Sequence, residues 1–157
     1  MYKCTDDSKS AEAFHESCDE IGPTLTVIRC TDGYVFGGYN PGSWKSGWED
    51  GRAENAFLFS LVNPADTAPT KYNVTDPDRA VFNSDTGGPV FGWDDICCWD
   101  GSDESYIYFP QSYEDTTGRG VQTFTGGDIR VHSAGGPLNG SNVVLFVIDR
   151  LEVWSVV

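Results

Sequence analysis

The sequence is short of positive charge. Its 157 residues hold 10 Lys and Arg against 24 Asp and Glu, a net charge of −14. Phosphate backbones are bound by clustered bases, so nucleic acid is excluded as a partner. Docking on anionic lipid is disfavoured for the same reason. Histidine is scarce too: only His15 and His132 occur, and no GxSxG elbow accompanies them. A serine triad has no local support, and each histidine reads best as a partly exposed structural residue. There is no CxxC, and the five cysteines are an odd number. Cys97 and Cys98 are neighbours that a strand would point to opposite faces. This pattern suits a reduced, intracellular and hence cytoplasmic protein. Long apolar runs are missing as well. The longest, Val143 to Ile148, is too short to cross a bilayer, and MYKCTDDSKS at the start has no signal-peptide core. No internal repeat or low-complexity tract is present, and no membrane insertion is expected.

What is present describes a folded β protein. Apolar residues make up 39% and aromatics 13%, with 18 glycines and eight prolines punctuating short apolar runs. Residues 8–18, SKSAEAFHESC, form the one good helix pattern: Ser8 or Ser10 can cap it, and Ala11, Phe14 and Cys18 share a face. Strands are expected at 24–30, at 34–39 after an Asp32-Gly33 hairpin turn, and at 56–62. The last, AFLFSLV, is so continuously apolar that it reads as central and covered on both faces. Residues 40–54 read as a polar loop anchored by Pro41, Trp44 and Trp48. Shorter strands follow at 79–83, 89–92, 95–99, 105–109, 121–124 and 128–132, and the end holds one long strand or two short ones. Many short strands with one helix predict a mainly β fold, a two-sheet antiparallel β-sandwich flanked by one or a few short helices.

The motifs that could carry chemistry fail one by one. Lys45-Ser46 after a glycine-rich segment resembles a phosphate loop, but Trp44 stands where glycine must let the backbone curl round phosphate. GxGxxG is absent. His15 and Cys18 sit three apart on the helix and could face one zinc, yet the neighbouring Cys97 and Cys98 are poorly placed to complete it, so Cys18 reads as a core residue. Asp94, Asp95, Asp100, Asp103 and Glu104 are five acids in eleven residues without a base, but they do not follow the EF-hand order. They read as a solvated loop. Trp44, Trp48, Trp93, Trp99 and Tyr106 could stack on sugars, though core packing is their commoner use. Neither Cys97 nor Cys98, set among carboxylates, has the positive surroundings of a redox nucleophile. No catalytic group, cofactor or metal is expected.

One resemblance spans nearly the whole chain. The stretches SAEAFHESCDEIGPTLTVIRCTDGYVFGGYNPGSW, NAFLFSLVNP and GGPVFGWDDI, in that order, with a closing acidic-hydrophobic strand from Arg150 to Val156, resemble the TLDc domain family. That family includes the oxidation resistance proteins. The motif positions are Gly33, Gly37, Gly38, Tyr39, Trp44, Phe57, Phe59, Pro89, Phe91 and Gly92. The resemblance implies a two-sheet sandwich with helices around it and no established catalytic residues. It also implies a protein-interaction module tied to oxidative-stress protection and to the vacuolar-type proton pump. The whole chain, 1–157, is expected to be one such domain, without the family's extreme N-terminal segment. Gly92-Trp93-Asp94 stands where the family often has a glycine run with histidine, a departure that alters the family's contact surface at this loop. Trp93, Asp94, Asp95, Asp100, Asp103 and Glu104 are the candidate partner surface. Two other readings stay open: a hydrolase using loop carboxylates on glycans, and a calcium- or sugar-binding sandwich.

Overall fold

A computed structural model describes residues 2–4, 9–99, 104–127, 129–131 and 142–156. The first sheet holds six strands: β1 (Tyr2–Cys4), β2 (Thr24–Cys30), β3 (Val35–Asn40), β5 (Phe57–Val62), β6 (Thr70–Asn73) and β13 (Ile148–Ser155). Their order in space is β1-β13-β2-β3-β5-β6. The second sheet holds seven: β4 (Trp48–Gly51), β7 (Val81–Ser84), β8 (Val90–Phe91), β9 (Ile96–Cys97), β10 (Ser105–Ile107), β11 (Ile129–Val131) and β12 (Asn142–Phe146). These run in the order β11-β12-β10-β9-β8-β7-β4. Every pairing between these strands is antiparallel. The expected mainly β sandwich is what forms.

The core lies between the sheets, and the alternation is cleanest in β2. In TLTVIRC the buried set is Thr24, Thr26, Ile28 and Cys30. Beside it on the same sheet lie Phe36, Leu58, Tyr72, Leu151 and Val153, and the other sheet supplies Phe91, Ile96, Ile107 and Phe146. The aromatics meet edge to face: Phe124 contacts Phe36, Tyr72 and Phe109 at centroid separations of 5.5, 5.6 and 4.9 Å. Two glycines permit the close approach. A Cβ on Gly37 would stand 1.9 Å from the Thr26 carbonyl oxygen, and one on Gly38 2.6 Å from Phe91. At the hairpin turn Gly33 takes φ +90°, the left-handed region that glycine enters freely.

The helix α1 (Ala11–Cys18) starts where Ser10 Oγ accepts from the Ala13 N–H at 3.1 Å. Phe14 and Cys18 turn into the core, and so does His15, which is only 8% exposed. Trp44 anchors the segment beneath the helix. It is buried, meets Phe14 and Phe91 edge to face, and donates from Nε1 to Thr24 Oγ1 at 2.9 Å.

Several expectations are corrected. Residues 40–54 are not one loop, because 48–51 form the edge strand β4. Trp48 does not anchor anything inward: it is 74% exposed and leans on Phe82. The 121–124 segment is a 3-10 turn, Gly120–Thr123, not a strand. Asp115 holds the chain leading into it, its carboxylate accepting the N–H groups of Thr117, Gly118 and Gly120. Among the described residues strand β5 is covered on one face: Leu58 and Ser60 are buried, Phe57 and Phe59 half-buried, Leu61 and Val62 exposed.

Candidate functional site

The β8–β9 connection, Gly92-Trp93-Asp94-Asp95, is the segment where the sequence reading places a partner surface. It reverses the chain in four residues, and two of them adopt positive φ: Gly92 at +68° and Asp94 at +63°. The backbone between them pushes Trp93 outward, leaving it 38% exposed. Its N–H donates to Ser112 Oγ at 3.0 Å, and the Arg79 guanidinium lies 5.0 Å over its ring.

Asp95 does the opposite. It is fully buried, so it is withdrawn from the partner surface and from any role as an exposed hydrolytic carboxylate. Its Oδ1 accepts from the Gln111 N–H at 2.7 Å and its Oδ2 from the Ser112 N–H at 2.9 Å. A Cβ at position 92 would stand 2.0 Å from Oδ2, which explains the glycine there. Burial drives the Asp95 pKa up, the backbone N–H groups pull it back, and burial wins, leaving it at about 7. The same desolvation, with Asp95 beside it, puts the Tyr113 phenol well above its ordinary value. Tyr113 therefore stays neutral and donates to the Ala80 carbonyl at 2.6 Å. The 111–114 stretch is further stitched to the end of β6: Thr75 and Asp76 N–H groups reach the Ser112 carbonyl, and Glu114 N–H reaches Asn73. Asp95 is a buried clasp beneath a presented tryptophan.

The other candidates scatter. Asp94 and Glu104 are half-buried, while Asp100 and Asp103 lie outside the described residues. The motif residues Gly37, Gly38, Trp44, Pro89, Phe91 and Gly92 are buried, and Gly33 lies at an exposed turn. Tyr39, Phe57 and Phe59 lie half-buried on the outside of the first sheet, where Tyr39 stacks on Phe57 at 5.1 Å. Of the aromatics considered for sugar stacking, Trp44, Trp99 and Tyr106 are core.

Sequence reading missed the second charged locality. Along α1 an acidic groove of about 500 Å³ is lined by Glu12, His15, Glu16, Asp19, Ser46 and Asp85. The His15–Asp19 spacing of four was its one legible signal. His15 Nδ1 lies 2.7 Å from Asp19 Oδ1, and Nε2 lies 2.5 Å from the Ser84 carbonyl oxygen. A carbonyl only accepts, so Nε2 carries a proton and donates. Both nitrogens are engaged, and the ring has no lone pair free to act as a base or metal ligand. Among the described residues no group of three or more His, Cys, Asp or Glu is placed to hold a metal ion. None of their helices is long and apolar enough to cross a membrane.

Cys18, Cys30, Cys97 and Cys98 are buried and form no disulfide. Burial pushes the Cys18 and Cys30 thiols up to about 12. Neither is a thiolate near neutral pH.

Comparison with known proteins fits this architecture. The family model described as TLDc domain matches residues 1–157, the full length of the chain. No curated protein matches it significantly.

Proposed function

The chain belongs to the TLDc domain family, and on that premise we propose that it is a non-catalytic protein-interaction module. It binds and regulates the vacuolar-type proton-pumping ATPase and through it contributes to protection against oxidative stress, in the cytoplasm. The observation that carries this reading is the family match along the whole chain, with the motif residues in the sandwich positions that need them. Two features support it. One of the loop acids the hydrolase reading would use, Asp95, is buried and engaged by backbone donors. The four described thiols lie in the core, so protection by direct thiol chemistry at those positions is disfavoured and protection through a partner is favoured.

The test is capture from lysate with the purified chain, followed by proton-pumping assays on vesicles. Enrichment of pump subunits and a change in pumping rate are expected. If capture never enriches them and added chain leaves pumping unchanged, the pump reading is wrong.

A further inference from the structure

In a β-sandwich the outer face of a sheet is ordinarily polar. The outer face of the first sheet is not. One row of register partners crosses four strands, Trp154-Leu25-Tyr39-Phe57. The next runs Val27-Gly37-Phe59 and ends on Lys71. Leu25, Val27, Tyr39, Phe57 and Phe59 are only half-buried, and Trp154 is 42% exposed. Phe59 fills the space over Gly37: a Cβ there would stand 2.8 Å from its ring. This face explains why AFLFSLV is apolar at nearly every position although no layer of the described residues covers one side of it.

The charge on this face is also unlike the rest. Its rim carries Arg29, Lys71 and Arg150 against Asp149 and Glu152. The remaining chain carries 22 acids against seven bases. Four of these charges cancel in pairs, Arg29 with Asp149 at 2.6 Å and Arg150 with Glu152 at 2.5 Å, which leaves Lys71 as the uncompensated rim charge. Glu152 also accepts from the Trp154 indole N–H at 3.0 Å. The Lys71 ammonium sits 4.3 Å over the Phe57 ring. The patch is therefore an apolar strip with a mildly cationic border on a strongly acidic molecule.

That combination selects an occupant. A second copy would bring its own net positive rim, with its Lys71, against this one. An anionic membrane would meet one uncompensated base here, Lys71, while repelling the acidic remainder. Backbone groups inside the sheet are paired with one another, so the face offers a partner no main-chain hydrogen bonds. The partner must satisfy its own backbone, as a helix does. Four strands at a spacing of about 4.8 Å make a strip roughly 15 Å long, close to three helical turns. We propose that the outer face of the first sheet docks an amphipathic helix of a partner protein, its apolar stripe on the Trp154-to-Phe57 row and carboxylates along its flanks. This deepens the interaction-module reading and rests on it.

The test uses the full chain and three synthetic helices of about 18 residues. The first has leucines at i, i+3, i+4 and i+7 with glutamates flanking them. The second has lysine flanks, and the third scatters the leucines. Binding is followed by fluorescence anisotropy, with the site mapped by NMR shift changes. The Glu-flanked helix is expected to bind at least about tenfold tighter than either control, against the pull of the chain's net charge. Trp154→Glu and Lys71→Glu, both at exposed positions, should each weaken it by about fivefold or more, with unchanged melting curves at least for Lys71→Glu. A preference for the Lys-flanked helix, or binding indifferent to both substitutions, overturns the proposal. So does a dimer in sedimentation that Trp154→Glu dissolves, or pelleting of the chain with phosphatidylserine vesicles. Pump capture with Lys71→Glu separates the two readings. If the parent chain captures the pump and the variant does so equally well, the docking face is wrong and the pump reading stands. If neither captures it while the Glu-flanked helix binds as expected, the reverse holds.

Discussion

Gly38 and Phe91 touch across the sandwich, one from each sheet. The Phe91 ring occupies the volume a Cβ on Gly38 would need, 2.6 Å away. Gly38→Ala must push an enclosed ring, and Gly37→Ala must push the Thr26 carbonyl oxygen, which stands only 1.9 Å from the new atom. Urea unfolding should show both variants destabilised by about 1–3 kcal/mol, Gly37→Ala the more. Equal stability to the parent would mean the sheets can part at this corner.

The buried Asp95 gives a pH signature of defined sign. Its pKa in the fold, about 7, lies above the ordinary 3.8. Between these values the unfolded chain has released the proton and the folded chain retains it. The fold therefore loses stability from this group as pH rises from about 4 to 7, with a limiting slope of about 1.4 kcal/mol per pH unit. Urea titrations of the parent and Asp95→Asn should diverge in that window, because an amide side chain does not titrate. Parallel curves would place the Asp95 pKa in the ordinary range.

The thiols should be silent. At pH 8, iodoacetamide should leave Cys18, Cys30, Cys97 and Cys98 unmodified in the folded chain and alkylate all four in denaturant, as read by peptide mass mapping. Rapid modification of any of them in the native protein would reopen direct thiol chemistry.

His15 fastens α1 to the second sheet through the Ser84 carbonyl. His15→Ala strips that buried carbonyl of its donor and should cost about 1–3 kcal/mol. Hydrogen exchange should accelerate across residues 11–18 before it does in β2. Uniform acceleration everywhere would show that the helix and sheet open together.

Much of this fold was legible because local signals agreed with global ones. The strand TLTVIRC alternates cleanly, Asp32-Gly33 marks its turn, and Ser10 caps the helix it precedes. Where the period misled, tertiary context decided. AFLFSLV looks covered on both sides because its outer positions are as apolar as its inner ones. WEDG and TKYN are too short and polar to announce edge strands, and both lie at sheet edges. At the candidate site, DDI shows two adjacent acids and nothing that separates them. Backbone donors distant in sequence, those of Gln111 and Ser112 among them, hold Asp95 inward while Asp94 stays half-buried.

The position of β13 governs how the molecule is made. The last strand in the chain lies between β1 and β2, and among the described residues β1 pairs with no other strand. A ribosome releasing residues in order leaves β1 without its neighbour, and β2 with one side bare, until residues 148–155 emerge, on the order of ten seconds later. Such distant pairing makes for slow closure. During that interval the nascent chain holds an open sheet edge, a row of unpaired backbone groups that can pair with another chain.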